Sequence, residues 1–370
     1  MVLKAHNEET KGHRTIYIDL LRIAATIGVI MGHAVSAKWY DSPVTSFNWQ
    51  IMNVYDSSVN WIVPIFVMIS GIFHLRPISG DTTFKTEIQK MFKKVLKIIY
   101  AIIFWGILYN LFDLLVRYFM ENEPITLYGI ARIFVLIIFG PAYFHFWFLY
   151  MLIGLYLLTP VFRCIINNCK KEHLEYFLVL FFIFGAFIPV INIILPFFSF
   201  FKGKTIYFPV PELTGYMGYY IAGYYFANYK IKQRTRNGIY VLAVLSVFFT
   251  IIVTSFISVR ERKPFEGIYG FLTPNTMFIA YAVFLLFQDK FTKMNISDGK
   301  IKIISKISKD TFGIYLIHIF VLKALDMAGI NILMMNPIVS IPVITIVVLI
   351  LSAIGIIIIN KIPILSKNVI

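Results

Sequence analysis

Ten apolar stretches, each about 20 residues long, occupy most of this 370-residue chain. A helix of that length spans the hydrocarbon core of a bilayer. The chain is 59% hydrophobic, above the roughly 45–50% that is usual in soluble domains. The sequence therefore predicts an all-α fold, a polytopic membrane helix bundle of about ten transmembrane helices. The predicted spans are residues 15–36, 59–75, 95–119, 145–162, 176–195, 213–228, 239–257, 270–288, 311–328 and 338–360.

Lysine and arginine are unevenly distributed between the two sides of these spans. With the N-terminus inside, the inner segments carry 24 of them and the outer segments carry 8. Because basic loops resist translocation, we expect both termini in the cytoplasm and the protein in the cell membrane. The expected organisation is a cytoplasmic N-terminal segment 1–14, a single membrane domain 15–362 and a cytoplasmic tail 363–370. The net charge of +15 then belongs to loops beside membrane lipids, and without a recognisable binding module nucleic acid is not an expected partner.

Two segments outside the ten spans also carry a helical pattern. Residues 128–140 are apolar but short and end in a Gly-Pro pair, which predicts a half-helix or re-entrant piece packed against protein. Residues 84–98 alternate apolar and lysine faces, which predicts a helix along the inner leaflet. That basic face attracts anionic lipid headgroups or forms a rim that gathers a phosphate-bearing donor. Residues 38–58 and 196–212 are expected to be loops.

The first span places three ionisable residues, Asp19, Arg22 and His33, in an otherwise apolar stretch. An ionisable group at membrane depth indicates a functional site, because its burial in hydrocarbon is costly. Eleven residues amount to three helical turns, so Arg22 and His33 share one face about 16 Å apart, with Arg22 nearer the cytoplasm. Asp19 lies on the same face and is predicted to pair with Arg22, which by itself explains the burial of both.

Spans four and six begin on the same outer side that His33 approaches. Their first turns contribute His145, Trp147, Tyr150, Glu212 and Tyr216. Two imidazoles, a carboxylate and phenols are suited to general acid-base chemistry, since imidazole exchanges protons near neutral pH. The aromatic residues fit equally well into the interfacial belt of a membrane protein.

The inner side offers a second group of candidates. Arg76 follows span two, where a guanidinium fork suits a phosphate and where positive-inside topology also favours arginine. His318 lies seven residues into span nine, which predicts that it is level with Arg22. Lys323 and Asp326 are three residues apart and are predicted to form a structural ion pair.

Four stretches of the sequence together resemble the acyltransferase 3 family of integral membrane acyltransferases. They are IDLLRIAATIGVIMGH, VPIFVMISGIF, HFWFLYMLIGLYLLTP and TFGIYLIH, and the resemblance covers nearly the whole chain. The family's arginine, followed eleven positions later by a histidine, falls on Arg22 and His33. The resemblance implies about ten spans without an appended extracytoplasmic domain. It also implies transfer of acyl groups, usually acetyl from acetyl-CoA, to sugars of surface polysaccharides, lipopolysaccharide or peptidoglycan.

The resemblance implies that His33 is the catalytic histidine and that Arg22 and Arg76 are donor-side positions. The expected protein is an enzyme, an acyl-CoA-dependent O-acyltransferase that takes acetyl-CoA from the cytoplasm and needs no metal. Its acceptor is a cell-surface glycan or a glycolipid precursor. His33 acts as general base on the acceptor hydroxyl or carries the acyl group itself. The supporting residues are His145 and Glu212 for orienting the imidazole, His318 for the donor, and Trp147, Tyr150 and Tyr216 for the acceptor.

Two other functions fit ten spans with buried charges. A transporter or flippase would move a lipid-linked or anionic solute through the same polar crevice. Transporters often carry an internal repeat or paired interrupted helices, and the sequence shows neither. A membrane sensor or assembly partner without chemistry is the third interpretation, and it requires that Arg22 and His33 be replaceable without effect.

Overall fold

The structure is a computed structural model that describes residues 13–77, 83–197, 206 and 211–362, with the side chains of 13–15 and 211–214 left out. Every regular element among these residues is helical, which confirms the predicted all-α class. The helices are α1 (His13–Ser36), α2 (Phe47–Val59), α3 (Ile62–His74), α4 (Phe84–Met120), α5 (Leu127–Phe139), α6 (Trp147–Asn168), α7 (Lys171–Leu180), α8 (Ile188–Ile194), α9 (Pro211–Asn228), α10 (Gln233–Glu261), α11 (Pro274–Thr292), α12 (Asp298–Met327) and α13 (Pro337–Ile359). A π-helical segment, Phe181–Phe187, joins α7 to α8.

Seven helical segments of the described chain are long and apolar enough to cross a membrane. They are Ile16–Ser36, Phe47–His74, Phe84–Met120, Leu127–Asn168, Lys171–Phe197, Gln233–Glu261 and Pro337–Ile359. Seven of the predicted spans overlap these segments, and the other three overlap α9, α11 and α12. The protein is therefore a multi-pass membrane helix protein, while the count of ten and the side of each terminus stay predictions.

The expected loop at 38–58 is largely helical. Helix α2 begins after Ser46, whose side-chain oxygen accepts a hydrogen bond from the Trp49 backbone N–H as an N-cap. Trp49, Met52 and Asn53 face inward and are buried. The sequence pattern failed here because polar residues of α2 interrupt the hydropathy, and that delayed the predicted span to residue 59.

The predicted interfacial helix at 84–98 is not a separate element. Its residues form the first turns of α4, which continues without interruption to Met120. The Thr83 side chain caps the helix by accepting from the Thr86 backbone N–H at 3.3 Å. Met91 and Val95 are buried while Phe92 is exposed, so the apolar pattern reflects packing within the protein on one side.

The described chain divides into two compact units. The first comprises the described parts of Met1–Phe73 and Cys169–Ala353, and the second those of His74–Asn168 and Ile354–Ile370. In the first unit α1 packs against α2, α11 and α12, and α10 packs against α2 and α11. In the second unit α4 packs against α5 and α6.

Two glycines bring α3 and α9 of the first unit into backbone contact. A Cβ on Gly71 would overlap the carbonyl oxygen of Tyr220, and a Cβ on Gly223 would overlap that of Met68. Small residues at a helix crossing let backbones approach closely, and van der Waals packing then replaces the missing side chains. The crossing therefore requires glycine at both positions.

Candidate functional site

The two ionisable residues of the first-span motif both contact α12. The Arg22 Nη1 donates to Ser308 Oγ at 3.4 Å, and the His33 ring lies 5.2 Å from the His318 ring, centroid to centroid. Because the two contacts occur in the same order along both helices, α1 and α12 run parallel to each other. Arg22 and His33 thus share the face of α1 that packs on α12, as their spacing predicts.

Asp19 and Arg22 are connected through a serine. Ser308 Oγ donates to Asp19 Oδ1 at 2.7 Å and accepts from Arg22, while Ser305 Oγ donates to Asp19 Oδ2 at 2.8 Å. The Arg22 guanidinium also lies 5.8 Å from the centroid of the Phe73 ring, within cation–π range. The predicted pairing of Asp19 with Arg22 therefore has to include Ser308, which the sequence reading missed because it began span nine at residue 311.

His318 lies at the level of His33, not at the level of Arg22. The predicted depth was wrong because α12 begins at Asp298, well before residue 311. The His318 side chain is fully buried, and its Nδ1 lies 2.7 Å from the Tyr315 carbonyl oxygen. A carbonyl oxygen only accepts, so Nδ1 carries a proton, and in the neutral ring the lone pair is on Nε2. The structure therefore brings together two imidazoles, one with an assigned tautomer.

A carboxylate that the sequence analysis missed lies beside a neighbouring face of α1. Asp56 of α2 is half-buried, and its Oδ1 is 3.6 Å from the place where a Cβ on Gly32 would be. Gly32 is the residue before His33, so this carboxylate packs against the backbone that carries the histidine. An acid within the helical run IMNVYDSSVNWIV was the available signal.

Phenols and a second acid surround Asp56. Glu266 and Tyr269 lie close enough to interact with it electrostatically. The Tyr40 hydroxyl donates to Glu266 at 2.7 Å, and this hydrogen bond raises the pKa of Tyr40. Burial raises the pKa of Tyr269, whose hydroxyl bonds to Asn53 and lies 3.1 Å from Ser57 Oγ. Both phenols therefore stay protonated and remain hydrogen-bond donors near neutral pH.

An ion pair closes the far end of the α1–α12 interface. Lys38 Nζ lies 2.9 Å from Asp326 Oδ1 and 3.3 Å from Asp41 Oδ2. Burial acts to lower the Lys38 pKa, but the hydrogen bonds to Asp326 and Asp41 outweigh it and raise that pKa above its usual value. Asp326 also accepts from Asn331 at 3.0 Å. Lys323 is half-buried, and its predicted pairing with Asp326 stays a prediction.

Three residues of the predicted outer cluster belong to the second unit. His145 is 2% exposed and packs edge-on against Tyr109 and Tyr143. The Tyr150 hydroxyl donates to the Ile137 carbonyl at 3.3 Å and accepts from the Ala142 N–H at 3.4 Å. Tyr150 therefore holds the turn between α5 and α6. Trp147, half-buried, opens α6. The roles predicted for these residues stay predictions.

The remaining two members of that cluster lie on α9. The side chain of Glu212 falls outside the described residues. Tyr216 is half-buried one turn further along the helix. The neighbouring Tyr219 is fully buried and donates to the Phe271 carbonyl at 2.6 Å, which attaches α9 to the connection before α11.

The comparison with known families settles the class of protein. A family model described as an acyltransferase domain, that of the acyltransferase 3 family, matches residues 15–358. The chain belongs to the acyltransferase 3 family. No curated protein and no solved structure matches it. As an acyltransferase 3 protein it is expected to handle an acyl donor, and in the described part of the chain no group of three or more His, Cys, Asp or Glu side chains could hold a metal ion.

A buried arginine of this acyltransferase 3 protein, missed from the sequence, organises the end of α3. Arg163 of α6 is 5% exposed, and its Nε and Nη2 both donate to the His74 carbonyl. Its Nη1 lies 3.4 Å from Glu87 at the start of α4. A cation suits the free carbonyls at a helix C-terminus. Arg163 thereby fixes the C-terminal end of α3. Arg76 is exposed and lies two residues after that end.

Replacing Arg163 by glutamine is expected to lower the free energy of unfolding by roughly 3 kcal/mol, since it removes the buried guanidinium from the His74 carbonyl and from the partly buried Glu87 carboxylate. Lysine should restore part of the loss, because it keeps the charge but not the forked geometry. Thermal unfolding in detergent measures the effect, with Arg132→Gln, an exposed arginine on α5, as the matched control. Equal melting temperatures for Arg163→Gln and Arg132→Gln would contradict this assignment.

Proposed function

We propose that this protein is a membrane O-acyltransferase that moves an acetyl group from cytosolic acetyl-CoA to a hydroxyl of a cell-surface glycan or its lipid-linked precursor. Membership of the acyltransferase 3 family supports acyl transfer. The observation that carries the proposal is the pair of imidazoles, His33 and His318, at the buried interface of α1 with α12. A transfer to a hydroxyl needs a group that takes the hydroxyl proton, and imidazole does so near neutral pH.

In the proposed reaction His33 acts as general base. It takes the proton from the acceptor hydroxyl while the hydroxyl oxygen attacks the thioester carbonyl. The carbon–sulfur bond then breaks, and the leaving CoA thiolate receives the proton back from the imidazolium. Alternatively, a His33 nitrogen first attacks the thioester carbonyl, the carbon–sulfur bond breaks, and CoA leaves as the thiol with the imidazole proton. The acceptor hydroxyl oxygen then attacks the acetyl-imidazole, the carbon–nitrogen bond breaks, and the imidazole receives the hydroxyl proton. His318, held by the Tyr315 carbonyl, serves as the positioning residue for the His33 ring in either case.

Two arginines are proposed to contact the donor, Arg22 on α1 and Arg76 after the end of α3. Arg22 lies about 16 Å from His33 along the helix, so it would contact an anionic part of a donor whose thioester reaches the histidine. Arg76 would pair with a phosphate of CoA through charge-assisted hydrogen bonds. On the acceptor side the proposal keeps His145 or Glu212 as a further orienting group. Sugar contacts would come from the rings of Trp147, Tyr150 and Tyr216.

Binding of the donor can be tested without knowledge of the acceptor. CoA and acetyl-CoA are expected to raise the melting temperature of the purified protein in detergent, because a ligand that binds only the folded state stabilises it. The stabilisation is about 2.7 kcal/mol when the ligand is at 100 times its Kd. Arg22→Gln should weaken it, whereas Arg234→Gln, an exposed arginine on α10, should leave it unchanged.

A transporter would give a different result. If CoA has no effect on the melting temperature and the protein in liposomes carries a solute across the bilayer, the proposed acyl transfer is wrong. A CoA effect that survives Arg22→Gln would leave the donor bound elsewhere and would overturn the role of Arg22.

A further inference from the structure

A groove lies between α2 and α10 in the first unit. Its volume is about 660 Å³. It is lined by Gln50, Ile251, Ile252, Ser255, Phe256, Val259 and Arg260. The α10 members recur at helical spacing and form one stripe along the helix axis. From Ile251 to Arg260 that stripe extends about 14 Å at the rise of an α-helix.

The groove is apolar along its length and cationic at one end. Ser255 Oγ donates to Gln50 Oε1 at 2.8 Å, and Gln50 Nε2 donates to the Val44 carbonyl at 2.7 Å, so these polar groups are satisfied by the protein. Ile252 is 61% exposed and Phe256 66% exposed, which leaves large apolar side chains for an external hydrocarbon to cover. Arg260 forms the cationic end; its side chain is 57% exposed, and its Nε lies 3.7 Å from Glu261 Oε1 in an exposed ion pair.

The cationic end lies at the outer end of α10. The N-terminal end of α10 carries four basic residues. Lys230 and Lys232 precede the helix, and Arg234 and Arg236 lie in its first turn. The positive-inside rule places that end in the cytoplasm. Arg260 is then at the level of the outer headgroups. Glu261 follows it, and after that come two more cations, Arg262 and Lys263.

We propose that this groove binds an anionic phospholipid of the outer leaflet, with one hydrocarbon chain along the α10 stripe and the phosphate on Arg260. An apolar channel that ends in a guanidinium is complementary to a chain that ends in a phosphate, because Arg makes strong charge-assisted hydrogen bonds to phosphate oxygens. The local excess of positive charge favours a headgroup with net negative charge over a zwitterionic one. This inference does not depend on the proposed acyl transfer.

The lipid would stabilise the connection between α10 and α11. Ser258, on the turn of α10 before Arg260, accepts from the Phe265 N–H at 2.9 Å. Phe265 belongs to the connection that carries Glu266 and Tyr269, the groups beside Asp56. A lipid hydrocarbon chain packed on α2 and α10 would therefore hold these two helices together, and the connection packs on both of them.

The test uses the full chain, stripped of lipid in detergent and supplied with phosphatidylglycerol or with phosphatidylcholine of the same chains. Phosphatidylglycerol is expected to raise the melting temperature more, and native mass spectrometry should show it retained. Arg260→Gln should lose the preference for phosphatidylglycerol, while Arg234→Gln at the other end of α10 should keep it. Val259→Trp, which fills the groove without a change of charge, should lose stabilisation by both lipids.

Other results would overturn the proposal. Stabilisation of the parent protein by neither lipid, or an unchanged lipid preference in Arg260→Gln, excludes the site. Inorganic phosphate is expected to leave the melting temperature unchanged. A rise equal to that with phosphatidylglycerol would show that the lipid's hydrocarbon chain does not contribute to binding. If Val259→Trp fails to fold, Ile252→Trp replaces it. Full stabilisation by lipid in a variant that folds with a filled groove would contradict lipid binding in the groove. A Val259→Trp effect on oligomer size instead of on lipid retention would show that a second copy of the chain covers it.

Discussion

Alanine at position 33 is expected to lower acyl transfer by roughly 10²- to 10⁴-fold, the usual contribution of a general acid-base group. The reason is chemical, because the acceptor hydroxyl loses the group that takes its proton or carries the acyl intermediate. Transfer of labelled acetyl from acetyl-CoA to cell-envelope glycans in membranes measures the effect, with the rate divided by the amount of protein. His33→Ala is expected to fold, since the His33 side chain is only half-buried.

The matched control for His33→Ala is His173→Ala. His173 is an exposed histidine on the first turn of α7, where its Nδ1 accepts from the Lys170 N–H at 2.9 Å. This variant is expected to transfer acetyl at the parent rate. Full transfer by His33→Ala would contradict the proposed chemistry and leave the transporter or the sensor as the remaining functions.

His318→Gln separates a positioning role from a purely structural one. It is expected to lower kcat by less than His33→Ala does and to change the pH dependence of kcat, because the remaining imidazole then has a different neighbour. The KM for acetyl-CoA should stay near the parent value, whereas the donor-binding role first expected for His318 predicts a raised KM. A variant with parent kcat and parent pH profile would exclude both roles.

Alanine at Gly71 or Gly223 is expected to destabilise the protein by about 3 kcal/mol or more. A Cβ at either position overlaps a backbone carbonyl of the facing helix, so α3 and α9 must move apart. Overpacking of a well-packed site costs about 1–3 kcal/mol when side chains can shift. Backbone has less freedom to shift, which places these two substitutions at or above the upper end of that range.

The controls for this crossing are Gly154→Ala on α6 and Gly238→Ala on α10. Nothing lies within 4 Å of a Cβ at either position. Alanine has the higher helix propensity, by about 1 kcal/mol, so these variants should melt at or slightly above the parent temperature. Chemical or thermal unfolding in detergent compares the stability of the four variants.

The double variant Gly71→Ala with Gly223→Ala should lose less stability than the sum of the two single losses, because both substitutions act on one helix crossing. Equal stability of Gly71→Ala and Gly154→Ala would contradict the close contact.

Some contacts of the candidate site follow from spacing along one helix. Arg22 and His33 lie eleven residues apart, and any α-helix places such residues on one face. Their position on one face therefore needed no knowledge of the rest of the chain, whereas the contact of that face with α12 did. The all-α class and seven of the segments that can cross a membrane followed in the same way from the length and apolarity of each stretch.

Other parts of the site depended on where helices begin. Polar residues at the start of α2 and α12 lie outside the apolar windows, so those helices were predicted to start too late. That error hid Asp56 and Ser308 and placed His318 at the wrong depth. Side-chain partners from distant parts of the chain, such as Lys38 for Asp326, leave no spacing pattern in the sequence.

The amino-acid sequence alone determined which residues share a helix face, because the period of 3.6 residues is a local property of the backbone. It also determined the membrane-spanning character, since apolar length decides that. Only the tertiary structure decided that His33 faces His318, that Ser308 joins Asp19 to Arg22, and that Arg163 holds the end of α3. Those contacts depend on the relative shift of packed helices, which is the sum of many side-chain contacts spread over distant parts of the chain.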